Sequence, residues 1–312
     1  MSNYNGQFVM DAPNNTWNKV FDMVRPSSIV LDVGCSNGNF GKALIENKGC
    51  IVDGIEIDKE DARIASTKLR SVYVGFIEDA IKGSFKDKKY DFITFLDVIE
   101  HLYDPVQTLK SIRKNLDNKG AILFSIPNMA HVSVRLMIMS GRFEYGNTGL
   151  LDNTHLHFYT KQEIERVFND AGFNITNWDF TEAIYTEDLL RKELKKLGIK
   201  NSTPDLIKLL NSSDSRIFQY IGKAKPTRII PSVRPHYSPN PQGVITNWYE
   251  KREKELLEEI NRNVEQIKIL QQENNNPINM KSEKEKTEPN EILKRISPKY
   301  LIKHIIKKSI KK

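Results

Sequence analysis

The stretch that most constrains this chain runs Ile29-Val30-Leu31-Asp32-Val33-Gly34-Cys35-Ser36-Asn37-Gly38-Asn39-Phe40-Gly41. A short apolar run passes into small residues and then into the first turn of a helix starting near Asn39. Such a run without polar–apolar alternation marks a parallel strand covered by helices on both faces. Glycine accepts positive φ and lets a ligand approach the backbone, and the helix start offers unpaired N–H groups to an anionic group. Asp32 ends the strand, where open α/β sheets hold their ligands.

The rest of the first 225 residues repeats the strand–helix rhythm. A short helix through Trp17, Val20, Phe21 and Val24 is capped from Asn14–Thr16 and ended by Pro26. Strands are predicted over 29–33, 51–58, 71–77, 90–97, 121–126, 173–180 and 216–224, with helices over 39–46 and 59–69. Asp104-Pro105 opens another helix, which carries Val106, Leu109, Ile112 and Leu116 on one face and is closed by Gly120. Thr160 and Glu163 form a capping box for a helix to Ala171, and further helices fall at about 186–197 and 204–211. This alternation predicts a doubly wound, mostly parallel, seven-stranded α/β sheet over residues 1–225. Residues 128–158 interrupt it as an insertion that covers the site.

Two cofactor families use a loop of this kind. The dinucleotide fingerprint aligned on Gly38 and Gly41 requires glycine at position 36, where Ser36 stands. The pattern acidic-x-Gly-x-small-x-Gly is met by Asp32, Gly34, Ser36 and Gly38. Here the sequence resembles the class I S-adenosylmethionine-dependent methyltransferases, in which this loop holds the methionine end of the cofactor. Glu56, 22 residues after Gly34 at the end of the next strand, with Ile57 beside it, is placed to take both ribose hydroxyls. A surface carboxylate is the bland alternative, and Asp58 would serve it equally. The family usually sets an acidic residue beside adenine after the third strand. Here Phe76 stands in its place, so Ile77 N–H and either Glu78 or Asp79 are the candidate contacts. Asp97-Val98-Ile99-Glu100-His101-Leu102-Tyr103-Asp104-Pro105 resembles the segment after the fourth strand in small-molecule methyltransferases, with Asp97 beside the cofactor.

The segment after Pro127 resembles methyltransferases associated with bacterial glycan assembly. The resemblance is carried by Ile126-Pro127-Asn128, His131, Arg135-Leu136, Gly141-Arg142-Phe143-Glu144-Tyr145 and the run from Gly149 to Thr160. It implies a sugar or glycan precursor, small or lipid-linked, as acceptor. A sugar hydroxyl needs its proton removed, and histidine titrates near neutrality. His155 is the preferred general base, then His131, with His101 more simply a hydrogen-bonded histidine near the site. Arg135 and Arg142 either clamp an acceptor phosphate or carboxylate or are solvated. Asp152, His155 and His157 have a metal-like composition, but such histidines are more often structural, and no metal is assigned.

Composition adds compartment and partners. Cys35 and Cys50 cannot make a disulfide framework, no signal peptide opens the sequence and no apolar run spans a bilayer, so a cytoplasmic protein is expected. The net charge of +7 resides wholly in residues 274–312, which hold 11 Lys and Arg against 4 acidic residues, leaving 36 of each sign elsewhere. A globular part without basic excess predicts no nucleic-acid partner. Residues 226–247 read as a Pro-rich linker, 248–273 as an amphipathic helix or short coiled coil capable of self-association, and 274–291 as disordered. Residues 292–312 form a basic amphipathic tail suited to peripheral contact with the inner face of a membrane. Three other readings stand beside the glycan enzyme: O-methylation of a quinone or other small aromatic acceptor, favoured if the lid is aromatic and apolar; a non-catalytic cofactor-binding scaffold; and, more remotely, a dehydrogenase.

Overall fold

The computed structural model describes residues 12–227 together with Lys254, Glu258, Arg262 and Glu265, four exposed helical positions farther along. The expectations for the linker, coiled coil, disordered stretch and basic tail otherwise lie outside the described residues. Strands β1 (Ile29–Val33), β2 (Ile51–Glu56), β3 (Ser71–Val74), β4 (Tyr90–Leu96), β5 (Leu116–Pro127), β6 (Phe173–Glu182) and β7 (Ile217–Pro226) form one sheet. Their order is β3-β2-β1-β4-β5-β7-β6. The first five run parallel, and β7 pairs antiparallel with both β5 and β6. The order reverses between β1 and β4, which opens a crevice at their carboxyl ends.

Ten helices accompany the sheet among the described residues: α1 (Thr16–Met23), α2 (Asn39–Lys48), α3 (Lys59–Ala65), α4 (Ile77–Ala80), α5 (Pro105–Ile112), α6 (Val132–Met139), α7 (Lys161–Asp170), α8 (Glu187–Lys196), α9 (Pro204–Leu210) and α10 (Ser213–Arg216). The missing alternation in β1 and β4 now has its cause. Val30 and Phe92 pack with Val20, Phe40 and Leu44 on one face, while Leu31 and Ile93 pack with Leu109, Ile112 and Phe168 on the other. Both faces are buried, so neither strand has a polar side to show.

Three local expectations are corrected. Gly120 does not close a helix. After α5 the chain makes a short turn over Arg113–Asn115 and enters β5 at Leu116, which pairs with Tyr90. Gly120 lies in that strand, where a Cβ would come 2.9 Å from the Tyr90 carbonyl oxygen. The helix from Lys59 stops at Ala65 rather than Leu69, because the chain turns to bring the Lys68 ammonium 2.7 Å from the Asn37 carbonyl. Thr160 precedes α7, but its side chain makes no cap bond, and Glu163 instead accepts from Arg166 Nε at 2.9 Å.

Candidate active site

The loop after β1 turns by three left-handed residues, Gly34 (φ 69°), Ser36 (φ 45°) and Gly38 (φ 76°). The turn is fastened from within: Gly34 and Cys35 N–H donate to the Ile55 carbonyl at 2.8 and 3.1 Å, and Gly38 N–H donates to the Cys35 carbonyl at 2.8 Å. Gly34 is required twice over, since a Cβ there would lie 2.6 Å from Val98 Cγ2. Gly38 serves packing: its Cβ would meet Ala65 of α3 at 3.1 Å, so a side chain would push α2 off α3. Glu56 ties this loop to the next. One carboxylate oxygen accepts from Ser36 N–H at 2.8 Å and the other from Asp58 N–H at 2.9 Å. Asp32 is buried and accepts from the Thr94 hydroxyl at 2.6 Å. Burial pushes its carboxyl up to about 7, against the pull of Thr94, and the Glu56 charge adds to the rise.

These groups line a cleft of about 700 Å³ whose wall is mostly apolar. On the side toward β3, Ile57 and Phe76 stand largely exposed on its rim. Phe76, noticed in the sequence only as a missing aspartate, offers a flat apolar face there. Ile77 and Glu78 lie on the wall, with Glu78 accepting from the Thr108 hydroxyl at 2.5 Å, whereas Asp79 is not among the lining residues. Asp97 closes the floor in a left-handed conformation (φ 56°). Its carboxylate accepts from the Ser125 hydroxyl at 2.8 Å and the Gln219 amide at 2.7 Å, and Gln219 in turn accepts from the Thr16 hydroxyl. Burial raises the Asp97 carboxyl, with Ser125 and Gln219 opposing. Cys35 is inert here, because burial pushes its thiol well up and its sulfur fills the space that a side chain at Gly54 would need.

The three candidate bases are placed differently. His131 is buried as the N-cap of α6, with Nδ1 at 2.7 Å from the Ser133 hydroxyl and Nε2 at 2.9 Å from the Ala183 carbonyl. Both nitrogens are engaged and the ring lies off the cleft wall, which corrects its assignment to the acceptor. His101 is on the wall, held by a 3.1 Å contact between Nδ1 and the Thr154 carbonyl. His155 sits behind it, buried, its ring stacked edge-on to His101 with centroids 4.8 Å apart. Burial lowers its basicity, with His101 adding to the effect. His157 lies only 3.4 Å from the Tyr103 carbonyl, on the far side of the exposed Leu156. Arg135 binds backbone oxygens of Ala130 and Leu209, and Arg142 pairs with Glu144 at the surface. Neither guanidinium lines the cleft.

The residues fit S-adenosylmethionine. A backbone turn too tight for side chains, a carboxylate bridging the ends of β1 and β2, an apolar rim and a buried aspartate suit a ligand with amino-acid, ribose, adenine and sulfonium parts. A mostly parallel sheet with an antiparallel β7, and such a cleft at its switch point, defines a Rossmann-like protein of the nucleoside-cofactor class. A family profile described as a methyltransferase domain matches residues 14–177, and the chain belongs to that family, whose cofactor is S-adenosylmethionine. Among curated relatives, the chain is 30% identical over 154 residues to a ubiquinone biosynthesis O-methyltransferase of Saccharophagus degradans, spanning 47% of this chain and 63% of that protein. It is 24% identical to the protein of the same name from Rickettsia typhi, over 62% of this chain and 72% of the relative. A solved SAM-dependent methyltransferase from Archaeoglobus fulgidus overlays 66% of this chain and 90% of its own with a TM-score of 0.47 at 18% identity.

Proposed function

We propose that this chain is an S-adenosylmethionine-dependent O-methyltransferase acting on a hydroxyl of a small aromatic acceptor of the quinone-precursor kind. The observation that carries the reading is the wall of the cleft, which is mostly apolar: beyond the cofactor loop Trp17, Leu96, Val98, Leu102, Tyr103 and Leu156 line it beside the polar Asp97, His101, Asp104, Gln107 and Thr108. Of the insertion at 128–158 Leu156 alone lines the cleft, while Phe143, Tyr145 and Phe158 form edge-to-face and tilted pairs with one another. A flat acceptor with a hydroxyl matches walls that are mostly apolar with a few polar groups to orient it. The relatives named as ubiquinone biosynthesis O-methyltransferases support this acceptor over the sugar or glycan precursor inferred from the sequence.

Bound S-adenosylmethionine supplies an already activated methyl group, which moves to the acceptor oxygen while its sulfur keeps the bonding pair. The protein positions and deprotonates. The loop lets the cofactor approach its backbone closely, Glu56 faces its polar parts, and ionised Asp32 favours its positive charge. The apolar walls orient the acceptor and exclude water, a contribution of the proximity kind. The acceptor proton leaves toward the side of the cleft where His101 stands. The test is methyl transfer from labelled cofactor to a catechol-bearing benzoate and, in parallel, to a sugar nucleotide. Label in the aromatic ether supports the reading. Label only in the sugar returns the acceptor to the glycan class.

A further inference from the structure

The charge of the cleft and the charge of its cofactor do not match at one end. Asp32, Glu56, Glu78, Asp97 and Asp104 line the cleft, and no lysine or arginine does. S-adenosylmethionine ends in an amino-acid carboxylate, which such walls disfavour. A positive counterpart stands just outside the cofactor loop. Lys68, in the turn that follows α3, holds its Nζ 2.7 Å from the Asn37 carbonyl oxygen and 2.7 Å from the Asn39 side-chain oxygen. Asn37 borders the cleft, and Asn39 opens α2.

The free protein gains little from this placement. Burial pushes the Lys68 ammonium below the ordinary lysine pKa, and the Lys42 charge adds to the fall. The ammonium also sits at the start of α2, the positive end of a helix, where cations are disfavoured. Both of its partners are uncharged oxygens, and it pairs with no carboxylate among the described residues. A surface lysine ordinarily keeps its head in water, whereas this one is turned onto the backbone of the cofactor loop. We propose that Lys68 is a positioning residue for the amino-acid end of S-adenosylmethionine. It pins the Asn37 peptide that borders the cleft, and from behind it supplies the positive charge that the lining lacks. The inference rests on the cofactor assigned above.

The geometry of the loop shows how the pin works. Asn37 stands between two left-handed residues, Ser36 and Gly38. Its carbonyl is held from outside the turn, by a side chain 31 positions farther on. In a planar trans peptide the C=O and the following N–H point opposite ways. With the Asn37 carbonyl drawn outward, Gly38 N–H therefore faces inward, onto the Cys35 carbonyl at 2.8 Å. The first turn of α2, with Phe40 on the cleft wall, then offers its positive end to an anionic group, and the Lys68 charge adds to it. The carboxylate is the only anionic part of the cofactor, so it is drawn toward α2 and away from Glu56.

The test is calorimetric titration of the full-length protein with S-adenosylhomocysteine and with methylthioadenosine, which lacks the amino-acid end. Lys68→Met is expected to weaken S-adenosylhomocysteine about tenfold, as loss of a charged hydrogen-bonding group does, and methylthioadenosine by less than about twofold. Retained methylthioadenosine binding also shows that the variant is folded. Lys68→Gln covers the case in which the methionine variant does not fold, and the same loss is expected of it. Lys42, paired with Glu46 at 3.5 Å on α2, is the control for charge alone. Lys42→Met should leave both ligands within about twofold. Equal weakening of the two ligands in Lys68→Met would mark a general loosening of the turn and overturns the proposal. So does a Lys42→Met variant that loses as much. A wild type that binds both ligands, with Lys68→Met unchanged, loses this inference alone. A wild type that ignores both contradicts the cofactor itself and this inference with it.

Discussion

Asp32 couples the charge of the cleft to pH. Its folded pKa, near 7, lies above the ordinary carboxylate value because burial disfavours the charged form. As pH rises from about 4 to 7 the unfolded chain loses this proton first, so the group's contribution to stability falls across that window and is fully lost above it. Asp32→Asn is therefore expected to melt above the wild type at pH 8, with the gap narrowing toward pH 4. A cationic cofactor stabilises the ionised form, so wild-type affinity should climb as pH rises toward about 7, where the folded Asp32 titrates, and then level off. Calorimetry of Asp32→Asn should give a flatter profile, and a wild-type affinity independent of pH would sink this assignment. Gly34 and Gly49 separate two reasons for glycine. Both have positive φ, but a Cβ at Gly34 strikes Val98, whereas nothing lies within 4 Å at Gly49. Alanine at either position should cost about 1–2 kcal/mol in backbone strain. Only Gly34→Ala should also abolish cofactor binding.

At the scale of elements, helix caps give a paired prediction. The Asp104 side chain accepts from Gln107 N–H at 2.9 Å at the start of α5, whereas Thr160 makes no such bond at α7. Asp104→Ala should cost about 1 kcal/mol in denaturant unfolding, and Thr160→Ala far less. Both caps look alike in sequence, and only the Arg166–Glu163 pairing tells them apart. The cofactor loop, Glu56 and the alternation of strands with helices were legible because each is encoded within a few neighbouring residues. The beginning of β5 was not, since Leu116 is held by Tyr90 on another strand. Helix α6 was hidden because its residues are apolar nearly all round: Val132 and Leu136 pack with Leu190, Leu194 and Ile207, while Ile138 and Met139 stay exposed. The packing of His155 against His101 was hidden for the same kind of reason. Asp152, His155 and His157 looked like a metal set by composition, but His157 turns toward the Tyr103 carbonyl while the His155 ring packs edge-on against His101, just past the end of β4.

Across the whole molecule, charge and chemistry are divided along the sequence. The cleft and its sheet lie within residues 12–227, while the positive excess lies in 274–312. No described helix is long and apolar enough to cross a membrane. Residues 292–312 carry eight basic residues and no acidic ones, interleaved with Leu301, Ile302, Ile305, Ile306 and Ile310, and the expectation of contact with an anionic lipid surface rests on that composition. Full-length protein should float with anionic vesicles at low salt, and a chain ending at Asn274 should stay behind while binding the cofactor equally well. Equal flotation of the two would assign the tail another role. The most direct measurement is titration of the full-length protein with S-adenosylmethionine, beside Glu56→Ala. The wild type should bind one equivalent, and loss of the Glu56 carboxylate, a charged hydrogen-bond partner, should weaken binding about 10- to 100-fold. No heat at millimolar cofactor, or equal affinity in the two proteins, would contradict the account.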